Sequence, residues 1–151
     1  MSNTQLAAAL AVAVLALGAC ASTPRASTVS KPAPVNLDAG TVAVTATVRD
    51  RDCKDDQHCA QSEAIRAILF IGVPGSRVPR AMIADERAAL EKHKAYFTQL
   101  FDRREYTRYV VSVKPSTSGA PKGSKSYQVT VNIDALRIAL EREGIVRRFG
   151  Y

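Results

Sequence analysis

The chain has 151 residues, of which 46% are hydrophobic and 23% charged, and its formal net charge is +7. That length suits one domain with a tether and leaves no room for several domains of ordinary size. The positive charge says nothing about the fold, but it does predict attraction to polyanions.

The first 20 residues have the pattern of an export signal. Its apolar run from Leu6 to Leu17 has 12 residues, too few to cross a bilayer, which needs about 20. Small residues close the run and Cys20 follows them, so the segment resembles the lipobox of bacterial lipoproteins. The resemblance implies a signal peptide at 1–19 and lipid on Cys20. Met1 to Gln5 contains no Lys or Arg, so a misread start or an uncleaved terminus is the alternative.

The same resemblance implies a location and an organisation. Residue 21 is Ala rather than Asp, which in proteobacterial lipoproteins implies passage to the outer membrane, with the domain facing the periplasm or exposed at the cell surface. Residues 20–40, rich in Ser, Thr, Ala and Pro, are predicted to be the acylated cysteine and a flexible tether. The folded domain is expected at 41–151. At that location we expect the protein to bind the membrane, and we do not expect it to bind nucleic acid.

Two of the three cysteines remain, Cys53 and Cys59, in a compartment where disulfides persist. We expect them to form a disulfide, worth about 2 to 3 kcal/mol by chain entropy. Free thiols and a metal site are the alternatives. A calcium loop needs an oxygen ligand at Lys54 and a glycine at Asp55, and the spacing does not suit zinc. We therefore predict no metal and a solvated acidic loop.

Three segments alternate between apolar and polar residues as strands do. The first is Thr41 to Val48, the second is centred on Tyr109, Val111 and Val113, and the third is Tyr127 to Ile133. The turn-rich connector PSTSGAPKGSK predicts that the second and third form an antiparallel hairpin.

Three further segments have helical period. Ser62 is predicted to cap a helix through Ile71, Asp85 a helix reaching about Asp102, and Asp134 a helix ended by Gly144. The predicted apolar faces of these helices comprise Ala64, Ile65, Ile68, Leu69 and Ile71, then Ala89, Leu90, His93, Tyr96, Phe97, Leu100 and Phe101, and finally Leu136, Ala139 and Leu140.

The element order β-α-α-β-β-α predicts an α+β two-layer sandwich, a three-stranded antiparallel sheet with helices packed on one face. Its other face would carry Thr45, Thr47, Gln128 and Thr130, a candidate docking surface. A strand, an Ala-rich helix containing EAIRA and a long-loop hairpin resemble, at pattern level, the small βαββ domains of flagellar-assembly and related envelope lipoproteins. The loop 49–59 departs from their glycine-rich turn. The resemblance implies a role in assembly and no catalytic residues.

The chain offers little for catalysis. Its two histidines are His58 and His93, and His93 lies on a predicted apolar helix face, where a structural role is expected. The sequence contains no Gly-x-Ser-x-Gly elbow, P-loop, dinucleotide fingerprint or His-Glu-x-x-His helix. We therefore expect a protein that is not an enzyme and has no cofactor.

Two functions follow from the remaining features. The first is a docking or assembly module of a periplasmic or outer-membrane complex, with envelope proteins as partners. The alternative is a module that binds an anionic envelope ligand, such as lipopolysaccharide or a wall polymer, through the basic loop 115–125 and the side chains of Lys114, Lys122 and Lys125. The equally simple interpretation is that these lysines only solvate the loop.

Overall fold

The computed structural model describes residues 40–49, 53–117 and 120–148. The predicted signal peptide, the predicted acylation site Cys20 and the predicted tether up to residue 39 lie outside the described residues. Of the predicted domain at 41–151, the structure describes residues 41–49, 53–117 and 120–148.

The three strands form one antiparallel sheet, as predicted. Strand β1 is Thr41–Arg49, β2 is Val110–Ser116 and β3 is Ser124–Asn132, in the spatial order β1-β3-β2. Residues directly opposite each other share a face, and on the inner face Val42 lies opposite Val131 and Val44 opposite Val129. These four valines are buried in the core, so the alternation in the sequence marks the buried face correctly.

The outer face also has the predicted character. Thr45 lies opposite Gln128 and Thr47 opposite Ser126, and the two hydroxyls of the second pair are 2.9 Å apart. Short polar side chains of this kind tolerate partial contact with water. The fold is thus α+β, with one antiparallel sheet and helices packed against its inner face.

Strand β2 differs from its prediction in register. Val110 pairs with Val131 and Ser112 with Thr130, so Val111 is the extra residue of a β-bulge. The bulge turns Val111 outward, where it is 60% exposed, instead of onto the inner face. Tyr109 is buried, but as the last residue of a 3₁₀ helix, Glu105–Tyr109.

The first helix begins earlier than predicted. Helix α1 is Asp56–Arg66, and its cap is Asp55, whose carboxylate accepts hydrogen bonds from the backbone N–H groups of Gln57 and His58 at 3.2 and 3.3 Å. Ser62 lies inside this helix. The loop that we expected to be solvated and acidic therefore includes the first residues of α1. Its carboxylates are favourable there because they accept hydrogen bonds from the free backbone N–H groups at the start of a helix. Apolar periodicity missed this first turn because its residues are polar.

Helix α1 continues as a π-helical turn, Ala67–Ile71. Ala64, Ile65, Ile68 and Leu69 are buried as predicted, whereas Ile71 is 55% exposed. A π turn holds more residues than an α turn, which moves the residues after it off the α-helical phase. That shift explains why the last predicted core position faces outward.

The second predicted helix is divided. Asp85 caps it as predicted, with the Ala88 N–H 2.9 Å from its carboxylate, and helix α2 spans Glu86–Lys92. At His93 the backbone leaves the helical region, with φ −116° and ψ 38°. Helix α3, Lys94–Phe97, then leads into a second π-helical turn, Thr98–Asp102.

The last helix, α4, is Ile133–Arg142. Its cap is Asn132, which accepts from the Ala135 N–H at 2.9 Å, and not Asp134 as predicted. Both residue types cap well, so sequence alone does not choose between neighbouring positions. Leu136 and Leu140 are buried, and the helix ends before Gly144, whose φ is +66°, as predicted.

A tight loop follows the first π turn. The Val73 N–H donates to the Val78 carbonyl at 2.7 Å, and the Ser76 hydroxyl donates to the Val73 carbonyl at 2.6 Å. Gly72 has φ +88°, and a Cβ there would lie 2.6 Å from the backbone carbonyl carbon of Arg80. Glycine is therefore required at position 72 for two separate reasons, the backbone conformation and the close approach of another segment.

We expect Gly72→Ala to destabilise the domain by about 3 kcal/mol, the sum of backbone strain and overpacking. Gly75→Ala is the matched control: Gly75 also has a positive φ, +79°, but nothing lies within 4 Å of the added Cβ. That control should cost about 1 kcal/mol. Urea unfolding measures both, and equal losses would contradict the role given to the contact with Arg80.

Candidate functional site

The two predicted cysteines meet. A disulfide joins Cys53 to Cys59, with their Cα atoms 6.2 Å apart. Beside it, Asp56 of α1 pairs with Lys125 of β3, carboxylate oxygen to Nζ 2.6 Å, and the Tyr106 hydroxyl donates to the His58 carbonyl at 3.1 Å. These contacts join the start of α1 to the sheet and to the 3₁₀ helix, so the role of this region is structural.

The two described carboxylates of the acidic loop both have structural partners. The Asp55 carboxylate caps α1, and the Asp56 carboxylate pairs with Lys125. Within the ranges that the structure describes, no group of three His, Cys, Asp or Glu side chains is arranged to hold a metal ion.

We expect the double substitution Cys53→Ser with Cys59→Ser to lower the free energy of unfolding by about 2 kcal/mol, because the short ring no longer restricts the unfolded chain. Urea unfolding of the oxidised wild type and of the variant measures the loss. Reductant should lower the stability of the wild type and leave that of the variant unchanged. A variant as stable as the oxidised wild type would contradict this.

The three candidate lysines do not come together. Lys114 lies opposite Gln128 on the outer face of the sheet, whereas Lys125 lies opposite Val48 on the inner side and pairs with Asp56. Lys122 is exposed in the turn between β2 and β3. The side chains alternate across the sheet, so Lys114 and Lys125 cannot contact one flat ligand.

A groove lies elsewhere, beside the divided helix. Its volume is about 630 Å³, within the range of binding sites for small ligands and side chains. One wall is Arg66, the last residue of α1. The remaining lining residues are spaced three or four apart or adjacent, so that they form one continuous helical stripe: Glu86, Arg87, Leu90, Glu91, Lys94, Phe97, Thr98, Phe101 and Asp102.

The floor of the groove is aromatic. Phe97 is buried, and Phe101 is partly exposed above the core. Their rings are nearly parallel, with an interplanar angle of 11° and centroids 6.2 Å apart. Phe70 and Tyr96 also contact Phe97, at centroid distances of 6.0 and 5.4 Å. The floor is therefore held in place from below by the core.

Arg66 joins the wall to the floor. Its Nη1 lies 2.8 Å from the Glu86 Oε1, and its guanidinium carbon lies 4.6 Å from the centroid of the Phe101 ring. Both partners of the ion pair are about two-fifths exposed, so the pair contributes at most about 1 kcal/mol. Its effect is mainly geometric: it fixes the end of α1 against α2.

Sequence reasoning identified the floor residues but not the groove. Leu90, Phe97 and Phe101 were expected on a core-facing helix, and they do contact the core. Leu90 and Phe101 also line open space, because the break at His93 and the second π turn change the course of the helix. The available signal was the interruption of the apolar stripe by Lys94 between Leu90 and Phe97. His93 itself is half-buried at the break.

Tyr96 precedes the floor residue Phe97, and its hydroxyl lies near Tyr109. It is shielded from water and makes no hydrogen bond of good geometry with the part of the chain that the structure describes. Burial raises the pKa of Tyr96, and the neighbouring Tyr109 raises it further. The folded state therefore holds this phenol protonated at pH values where an unfolded chain ionises it.

The sign of the pH dependence follows from that shift. An ordinary tyrosine has a pKa of about 10, so above about pH 10 the unfolded state releases a proton that the folded state keeps. Stability should fall with rising pH there, and Tyr96→Phe should reduce the slope by up to about 1.4 kcal/mol per pH unit. Urea midpoints at several pH values measure this. Equal slopes for wild type and variant would contradict the shift.

No protein-family model, curated protein sequence or solved structure matches this chain in our comparisons. Over residues 40–49, 53–117 and 120–148, no helix is long and apolar enough to cross a membrane.

Proposed function

We propose that this protein is a non-enzymatic lipoprotein of the bacterial envelope, and that its domain docks another protein of a periplasmic or outer-membrane complex. The lipobox-like segment ending at Cys20 supports the location, and the pattern of strands and helices, which resembles flagellar-assembly lipoprotein domains, supports an assembly role. One structural observation carries the docking function, the aromatic-floored groove.

The groove supports docking because its apolar floor is partly uncovered while its rim is charged. Leu90 and Phe101 are half-buried hydrophobic residues, and six of the ten residues that line the groove are charged. Protein interfaces commonly have this arrangement, with an apolar centre and a polar rim. A rigid aromatic floor also binds at a low cost in side-chain entropy, since its rings are already ordered by the core.

The outer sheet face is the second surface available to a docking partner. Thr45, Thr47 and Gln128 are half-buried on this face, and their polar side chains offer hydrogen-bonding groups to a partner. Such a face is ordinarily solvated, so we give it the lesser part in the proposal.

Photocrosslinking in living bacteria tests the proposal. A photoreactive amino acid at Thr98, an exposed residue of the groove, should capture one defined envelope protein. The same amino acid at Lys92, exposed on α2 outside the groove, is the matched control and should not. Cys20→Ser should abolish the crosslink, because the domain then lacks its lipid anchor, and intact mass should show lipid only on the wild type.

Two results would overturn the proposal. One is the absence of any specific crosslink at Thr98. The other is retention on immobilised lipopolysaccharide that is lost in Lys114→Ser with Lys122→Ser, while the groove captures nothing, since that outcome supports the anionic-ligand alternative.

A further inference from the structure

The loop that begins at the end of the first π turn, residues 71–80, carries exposed apolar and basic side chains together, and we call it the arginine loop. Ile71 is 55% exposed although it is a large hydrophobic residue, and Pro74 at the tip is exposed too. Arg77 and Arg80 are also exposed. Apolar and basic groups side by side suit the surface of an anionic membrane, where apolar groups enter the headgroup layer and cations meet phosphates.

The positive charges of the arginine loop have no opposite charges beside them. No acidic residue occurs from position 64 to position 84. Within the ranges that the structure describes, neither Arg77 nor Arg80 forms an ion pair. Both guanidinium groups are therefore available to anions outside the chain.

Hydrogen bonds and close packing fix the shape of the arginine loop. The Val73 N–H donates to the Val78 carbonyl at 2.7 Å, and both valines are buried in the core, so the two arms of the loop are anchored. The close approach of Gly72 to the backbone of Arg80 places Arg80 beside Ile71. The apolar and basic groups therefore need little ordering in order to bind.

The arginine loop lies at the end of the domain where the predicted tether joins it. Lys125, opposite Val48 near the end of β1, pairs with Asp56 at the start of α1, so α1 begins at that end of the sheet. Helix α1 with its π turn is about 24 Å long and β1 about 30 Å. The helix packs along the sheet, so the loop that follows it lies near the start of β1, where the chain enters at Gly40.

The aromatic contacts place the π turn at the same end. Phe70 of this turn lies 6.0 Å from Phe97, centroid to centroid, and the neighbouring Tyr96 lies near Tyr109. Tyr109 is the residue before β2, and the antiparallel register puts the start of β2 level with the start of β1. The turn between β2 and β3 is at the opposite end of the sheet.

A lipid anchor makes a weak contact of this kind effective. A flexible chain as long as the predicted tether, residues 21–40, spans about 25 Å on average. A domain held at that distance meets the bilayer at an effective concentration in the millimolar range. Each basic residue near an anionic surface strengthens binding about fivefold, so two arginines together contribute about 25-fold.

We propose that the arginine loop binds the anionic surface of the membrane to which the domain is tethered. Ile71 and Pro74 enter the headgroup layer, and Arg77 and Arg80 pair with lipid phosphates. The turn between β2 and β3 then faces away from the bilayer. This inference rests on the lipid anchor of the proposed function and adds a second contact with the same membrane.

Quenching of a fluorescent label tests the inference on the full lipidated chain. The label is attached to the introduced cysteine of Pro74→Cys, and the matched control is Lys122→Cys, an exposed site at the opposite end of the sheet. Each protein is reconstituted into vesicles of phosphatidylglycerol and phosphatidylcholine that contain lipids with a nitroxide on the headgroup. The label at position 74 should lose most of its fluorescence and the label at position 122 should not, because nitroxides quench only at short range.

Variants of the protein labelled at position 74 decide whether the arginines are responsible. Arg77→Ser with Arg80→Ser should weaken the contact about 25-fold and restore the fluorescence. The matched control, Lys114→Ser with Lys122→Ser, removes the same charge elsewhere and should leave the quenching unchanged. Vesicles of phosphatidylcholine alone should act like the loss of the arginines, and so should about 1 M salt, which shortens the Debye length to about 3 Å.

Several results would overturn the inference. The labels at positions 74 and 122 could be quenched equally, or the quenching could survive the loss of both arginines or of the anionic lipid. An intact mass without lipid on Cys20 would remove the proposed location and this inference together. A lipidated chain that crosslinks at Thr98 but shows no quenching at position 74 would overturn this inference alone and leave the docking function standing.

Discussion

The rest of the structure depends on the packing of α1 against the inner face of the sheet. Ala60 and Ala64 are fully buried, and their small side chains let the helix approach the valines of β1 and β3 closely. Ile65 of α1 and Ile68 and Leu69 of the π turn that follows are also fully buried in the core, and the burial of each side chain stabilises the fold by about 2 kcal/mol. A larger residue at either alanine would separate the two layers.

That contact determines where the groove is. Because α1 is held on the sheet, its last residue, Arg66, lies at a defined point beside α2. The π turn that follows brings Phe70 into contact with Phe97. The disulfide and the Asp56–Lys125 pair hold the other end of the same helix. The groove therefore lies beside the C-terminal end of α1, and the disulfide and the ion pair fix the N-terminal end of the same helix. A ligand at the groove would meet a preorganised wall and floor.

Local rules and tertiary packing each explain part of the difference between expectation and structure. The valine alternation in β1 and β3 predicted the sheet correctly, since a one-residue slip would expose all of those valines. Asp85 and Gly144 were recognised because a cap and an αL terminator act within one turn. The start at Asp55, the bulge at Val111 and the break at His93 were missed. β-Bulges, helix breaks and polar first turns of helices produce no periodic pattern of apolar residues, so periodicity in the sequence does not reveal them.

The sequence by itself determined the fold class, the hairpin, the buried faces of β1 and β3 and the cysteine pair. Periodicity and turn residues act locally, and the pairing of the cysteines was expected from their number and from the oxidising compartment that we propose. Only the tertiary structure decided that Lys114 and Lys125 lie on opposite sides of the sheet and that Leu90 and Phe101 are left partly uncovered. The physical reason is that the exposure of a side chain depends on what packs against it, and Arg66 and Phe70 reach that site from a distant part of the chain.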